Sequence, residues 1–191
     1  MAELSKEQRE TARIAHKDIF DRCQSAINSG FYLEAILMEY AAMEARMKVI
    51  MTLFHKPCAL CEDISITHDI GLQGKVDCFK HIIENNPSLF EKAKFTRSKA
   101  ARMGEFCKKR NIRIHGLLED TDSYNKLMKD NQKIATRGYE LLKLLYNETN
   151  RLKRIAKNHP ELITQANVAC FYPDSRGCVK AKQWLDDMCN Q

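Results

Sequence analysis

Glycine and proline are scarce in this chain: 7 and 4 residues among 191, about 6% together where average usage is about 12%. That scarcity excludes a loop-rich β-sandwich, a collagen-like repeat and a long flexible linker, and it leaves a helical chain as the reading. Long hydrophobic runs are missing as well, since no stretch nears the about 18 consecutive apolar residues of an ordinary transmembrane helix. Met1 to Glu10 carries no apolar run behind its charges, so neither a signal peptide nor a mitochondrial presequence is expected. The protein is therefore read as cytoplasmic, with no membrane partner, and its 8 cysteines default to thiols in a reducing compartment. A glycine-rich phosphate loop is absent too. Gly71-Leu72-Gln73-Gly74-Lys75 has the wrong spacing for a P-loop, which ranks a nucleotide-binding regulator last.

What the chain does contain is apolar periodicity. At 191 residues and 44% hydrophobic content it is long enough to bury one substantial core. Ser5 and Gln8 have capping-box spacing, and behind them Ala12, Ala15, Ile19, Cys23, Ala26 and Ile27 recur every three or four residues, which predicts a helix ending near Gly30. From Phe31 onward, Leu33, Ile36, Tyr40, Met43, Met47, Ile50 and Phe54 form a near-heptad seam and a second helix. Lys56 to Gly74 holds Pro57 and two glycines without periodicity and reads as a loop with a turn of helix. Lys75 to Asn85 reads as a short helix stopped by Asn86 and Pro87. After a short turn a further helix is expected over Arg97 to Leu118. Asp120, Asp122 and Ser123 offer N-caps for the longest helix, with Leu127, Ile134, Leu141, Leu145, Leu152 and Ile155 on its apolar side and Pro160 at its end. Amphipathic helices joined by short connections bury their stripes against one another, so the expected fold is all-α: an antiparallel bundle of four to five long helices over residues 1–160. Residues 161–191 read as a C-terminal extension that packs on the bundle or binds a partner.

Charge is unevenly placed. From Lys92 to Arg113 nine cations face one acid, Glu105, a surplus of +8; against a whole-chain +6, the remainder carries −2. Such clustering is an electrostatic footprint for phosphate backbones, and it makes Lys99, Arg102, Lys108, Lys109 and Arg113 candidate RNA-binding residues. The same helix ends in Lys109-Arg110-Asn111-Ile112-Arg113-Ile114-His115-Gly116. RNA carries its own nucleophile, the 2′-hydroxyl, so its cleavage needs a group that moves protons near neutrality and a cation that holds the phosphate. Histidine suits the first role and arginine, permanently charged and able to grip two oxygens, the second. On a helix Asn111 and His115 share one face, with Arg110 roughly 140° round from His115.

Arg110-Asn111-x-x-x-His115 resembles the signature of the HEPN superfamily: an Arg, a polar residue directly after it, and a His four to six residues beyond the Arg. Arg9 and Arg154 also precede a histidine, His16 and His159, but Glu10 and Ile155 follow them where the family has Asn, Asp or His. Glu34 to Lys48, with Glu44-Ala45-Arg46 in the apolar seam, resembles the second helix of such domains, and the resemblance spans Ser5 to Pro160. It implies a metal-independent RNase that cleaves single-stranded RNA by 2′-hydroxyl transesterification. It also implies a homodimer whose site forms where two motif helices meet, and a toxin or antiviral defence role with an antitoxin or regulatory protein as partner. His115 would transfer the proton, Arg110 would bind the scissile phosphate and Asn111 would orient groups. No cofactor is expected.

Two other readings stand beside this one. Cys58-x2-Cys61 followed by Cys78-x2-His81 has the spacing of a tetrahedral zinc site, against a reading of Cys78 as a small apolar residue of a helix. And the basic helix suits a noncatalytic module that binds RNA or a protein without cleaving anything.

Overall fold

The structure, a computed structural model, describes residues 5–54, 71–85, 87–93, 96–116 and 123–165. The fold is all-α. Seven helices run through the described residues, which contain no strand: α1 (Lys6–Asn28), α2 (Tyr32–Phe54), α3 (Leu72–Asn85), α4 (Pro87–Ala93), α5 (Arg97–His115), α6 (Tyr124–Asn158) and α7 (Pro160–Gln165).

Local chemistry sets the ends of these helices. At the end of α1, Gly30 takes a φ of 79° and Phe31 N–H donates to the Ala26 carbonyl at 2.8 Å, the six-to-one bond of a Schellman cap. A glycine is needed there because that φ is left-handed. Of the three caps expected for α6, Ser123 serves: its carbonyl accepts from Lys126 and Leu127, while Asp120 and Asp122 lie outside the described residues. Pro87 and Pro160 each open a short helix, where proline's missing N–H costs nothing.

Two boundaries differ from expectation. Leu72 to Gly74 belong to α3 and not to the preceding loop, of which Gly71 is described and residues 56–70 lie outside the described ones. The cause is burial: Leu72, Val76, Phe79 and Ile83 form one apolar stripe, and its burial outweighs the about 1 kcal/mol that Gly74 costs a helix interior. The turn expected after Pro87 is the helix α4, because Leu89 and Phe90 are both buried on it. α5 ends at His115 with a 3₁₀ turn at Gly116; Leu117 and Leu118, expected within it, lie outside the described residues. The extension expected at 161–191 is described only as far as Gln165, within α7.

The chain divides into two compact units. The first comprises the described residues of Met1–Met43 and Glu105–Leu145. Its core is Cys23 of α1, Ala35, Ile36 and Met43 of α2, Phe106 and Cys107 of α5, and Ile134, Ala135, Leu141, Leu142 and Leu145 of α6. Phe20 meets Tyr139 edge to face at 6.0 Å, fixing α1 against α6. The α2 seam holds at Ile36 and Met43, but at its middle the fully buried residue is Glu39, whereas the expected Tyr40 is half-buried. Glu39 lies over Gly138 of α6, a position where a Cβ would collide with the Glu39 carboxyl and the Phe106 ring. Neither carboxyl oxygen of Glu39 has a hydrogen-bond partner. Burial pushes its pKa up to about 9, so the acid is neutral at physiological pH. Cys23 is raised to about 12, by burial first and then by proximity to Glu39, and is an inert thiol.

The second unit comprises the described residues of Glu44–Gly104 and Tyr146–Gln191. Met47, Ile50, Met51, Leu72, Val76, Phe79, Phe90, Met103 and Leu152 are buried in it, and the Phe79 and Phe90 rings pack edge to face at 5.4 Å. Its buried cations are matched. Lys75 Nζ donates to Glu44 Oε1 at 2.8 Å, and the Arg46 guanidinium covers the Tyr146 ring at 3.6 Å. No described helix is long and apolar enough to cross a membrane.

Two predictions follow from the Glu39–Gly138 packing. Gly138→Ala gains helix propensity yet has no room, so it lowers stability by about 1–3 kcal/mol in urea denaturation. Folded Glu39 keeps its proton to about pH 9 while the unfolded chain releases it near the ordinary 4.5. Between those values the native state binds more protons than the unfolded one, so stability declines as pH rises, by up to about 1.4 kcal/mol per pH unit. Urea midpoints at pH 5, 6, 7 and 8 measure this decline, and Glu39→Gln flattens it.

Candidate active site

The sequence motif lies in the first unit, on the last two turns of α5. Arg110 is half-buried, with its guanidinium carbon 4.5 Å from the centroid of the Tyr40 ring of α2. Its Nη1 donates to Asn111 Oδ1 at 3.0 Å, and its Nε is buried with no partner. The aromatic face and the amide hold the guanidinium, and its charge is balanced by no carboxylate among the described residues. Asn111 and His115 are exposed and, four residues apart, occupy one helix face. Arg110 is thus a held cation bonded to the Asn111 amide, and His115 is an accessible imidazole one turn beyond Asn111. Tyr40 was read from the sequence as core, and its part in holding Arg110 emerges only in the fold.

The candidate RNA-binding residues separate into two groups. Lys99 and Arg102 belong to the second unit, and Arg102 is exposed. Lys108, Lys109 and Arg113 belong to the first, with Lys108 exposed. Glu105 opposes Lys109 at 2.6 Å, as the charge count along the helix anticipates. Asp130 of α6 also opposes the group, accepting from Arg113 Nη2 at 3.0 Å. That ion pair was not legible in the linear sequence, because Asp130 approaches Arg113 only when α6 packs on α5.

Beside the motif, α5 and α6 enclose a cleft of about 270 Å³ lined by Lys109, Ile112, Arg113, Asp130, Lys133, Ile134 and Arg137. Four of these seven side chains are cationic and one is anionic. Lys133 and Arg137 lie outside the basic window of the sequence. Their spacing of four was visible in the sequence, but it pointed to no site until the register of α6 on α5 placed both beside Lys109 and Arg113.

The zinc reading falls largely outside what the structure describes: Cys58 and Cys61 lie outside the described residues, and Cys78 and His81 stand in α3. Among the described residues, no group of three or more His, Cys, Asp or Glu is arranged to hold a metal ion. Comparison of the chain with protein-family models, with curated proteins and with solved structures finds no match.

Proposed function

We propose that the protein is a metal-independent endoribonuclease that cleaves single-stranded RNA, with Arg110, Asn111 and His115 as its catalytic residues. The observation that carries this reading is the state of Arg110: a guanidinium seated on Tyr40, bonded to Asn111, free of any described carboxylate and on the same two turns as an exposed histidine. A ring and an amide hold the guanidinium without cancelling its charge. A guanidinium so held beside an imidazole is suited to a phosphodiester.

In the proposed reaction His115 takes the proton of a 2′-hydroxyl, the 2′-oxygen bonds to the adjacent phosphorus, and the bond from phosphorus to the 5′-oxygen breaks. The proton is returned to the leaving 5′-oxygen, so the products are a 2′,3′-cyclic phosphate and a 5′-hydroxyl. Arg110 stabilises the charge that develops on the phosphate, and Asn111 orients the guanidinium through its carbonyl oxygen. One helix presents one such pair, so we place the site at a twofold axis, where the Arg110 and His115 of two copies meet in a homodimer. The cluster of cations alone would equally serve a noncatalytic RNA-binding module, and the ends of the RNA distinguish the two. The resemblance of the motif to the HEPN signature adds the role of a toxin or defence effector, held in check by an antitoxin or regulatory partner.

Incubation of the full chain with labelled RNA in the presence of a chelator tests the reading. Cyclic-phosphate ends are expected, with His115→Ala and Arg110→Ala each lowering the rate at least about 100-fold while far-UV helicity is unchanged. Equal rates for variant and parent would remove these residues from the chemistry. Tyr40→Leu, which takes away the guanidinium's aromatic seat, is expected to reduce kcat about 3- to 10-fold and to leave KM nearly unaltered. Light scattering is expected to give twice the chain mass, and an active monomer would exclude the composite site.

A further inference from the structure

The cleft between α5 and α6 is a place where the fold gathers like charge. Lys109 and Arg113 are four residues apart on α5, Lys133 and Arg137 four apart on α6, and all four line the same cavity. Like charges at that spacing repel along each helix, and packing the two helices together adds repulsion across the cleft. The opposing acids do not cancel it. Asp130 holds Arg113 at 3.0 Å and reaches Lys133 only at 3.7 Å, Glu105 is committed to Lys109, and no described carboxylate pairs with Arg137. Lys133 and Arg137 are both exposed, so their charged ends are accessible. Such an arrangement is unfavourable in the free protein and becomes favourable when an anion enters it.

The apolar part of the lining narrows the anion. Ile134 forms a buried floor, whereas Ile112, on the wall, is 68% exposed, one of the few large hydrophobic side chains left open to solvent among the described residues. A free phosphate has nothing to place against an isoleucine. A nucleotide unit has both halves: a phosphate for the cations, and a ribose and base for an apolar surface. A purely acidic peptide such as polyglutamate matches the charge but not the combination.

We infer that the cleft lined by Lys109, Ile112, Arg113, Lys133 and Arg137 is a binding subsite for one nucleotide of single-stranded RNA. Lys133 and Arg137 contact the backbone phosphate, Arg113 is held in place by Asp130, and the nucleotide's apolar face rests on Ile112. The choice of RNA as the anion rests on the proposed cleavage reading; the presence of an anion site in the cleft does not. The subsite holds substrate and takes no part in bond breaking, so its loss affects KM and not kcat.

The test uses the full chain with His115→Ala to prevent cleavage, and a fluorescein-labelled 12-nucleotide oligouridylate followed by anisotropy. Lys133→Gln with Arg137→Gln is expected to weaken binding at least 10-fold and to make the slope of log K against log salt shallower by about 1.4, two phosphate contacts at about 0.7 each. A control that removes two charges outside the cleft, Lys17→Gln with Lys129→Gln, is expected to change affinity less than 2-fold. Ile112→Ser is expected to weaken binding about 3-fold without altering the salt slope. Equal losses in the cleft and control variants would overturn the inference, as would displacement of the RNA by polyglutamate of matched charge as readily as by unlabelled oligouridylate. Failure of the chain with native His115 to cleave RNA, together with cleft-dependent binding, removes the cleavage reading and leaves the subsite. Cleavage whose KM is indifferent to Lys133 and Arg137 does the reverse.

Discussion

Within the first unit, everything near the motif depends on one close approach, that of the Glu39 carboxyl to the backbone of Gly138. A buried acid without a hydrogen-bond partner is costly in either charge state, far more so when ionised, and the protonated form is the one the core accepts. The absence of a side chain at residue 138 lets the carboxyl in, and the same gap receives the edge of Phe106. α2 and α5 are therefore both indexed against a single residue of α6. Once Glu39 points inward, its neighbour Tyr40 is turned by roughly 100° and becomes half-buried. Once Phe106 points inward, Arg110, one turn later, falls on the same side of α5 and meets Tyr40. The position of the motif arginine is a consequence of the acid beneath it.

α5 shows how one short helix carries three tasks without conflict. Phe106 and Cys107 face the core, Lys109, Ile112 and Arg113 face the cleft, and Lys108, Asn111 and His115 face solvent. Arg110 lies at the boundary between the core face and the solvent face, which is why its Nε is buried while its Nη1 reaches an exposed amide. The 3.6-residue period creates these faces from sequence alone; what fills the space opposite each of them is decided by α2 and α6.

That division explains what was legible in advance. Helices α1, α2 and α6 were readable because their apolar positions recur over many turns, and Ile36, Met43, Ile134, Leu141 and Leu145 are buried as the pattern requires. The start of α3 was hidden because two glycines in five residues signal a loop, while the stripe from Leu72 to Ile83 prevails through contacts distant in sequence. The seam of α2 was misplaced by one residue at its middle, since hydropathy favours tyrosine over glutamate at a core position, and only a neutralised acid reverses that order. Arg110, Asn111 and His115 were readable because their relation is internal to one helix. Tyr40, Lys133, Arg137 and Asp130 were not, because each relates to α5 across a packing interface.

The electrostatics of the basic helix also acquire a structure that the net surplus conceals. Glu105 and Asp130 tether Lys109 and Arg113, which fixes those side chains and lowers their net charge without removing it. Lys133 and Arg137, which lie on a different helix from the basic window, restore the balance in favour of the cations. Arg110 is excluded from both arrangements, since a π face and an amide hold it where carboxylates hold its neighbours. A guanidinium held by an acid has already met its strongest partner, whereas one held by a ring and a carbonyl keeps its full charge uncancelled. The two kinds of support therefore differ in consequence: the ion pairs of the cleft hold Lys109 and Arg113 in place while offsetting part of their charge, whereas the ring and the amide at Arg110 hold a cation without cancelling it.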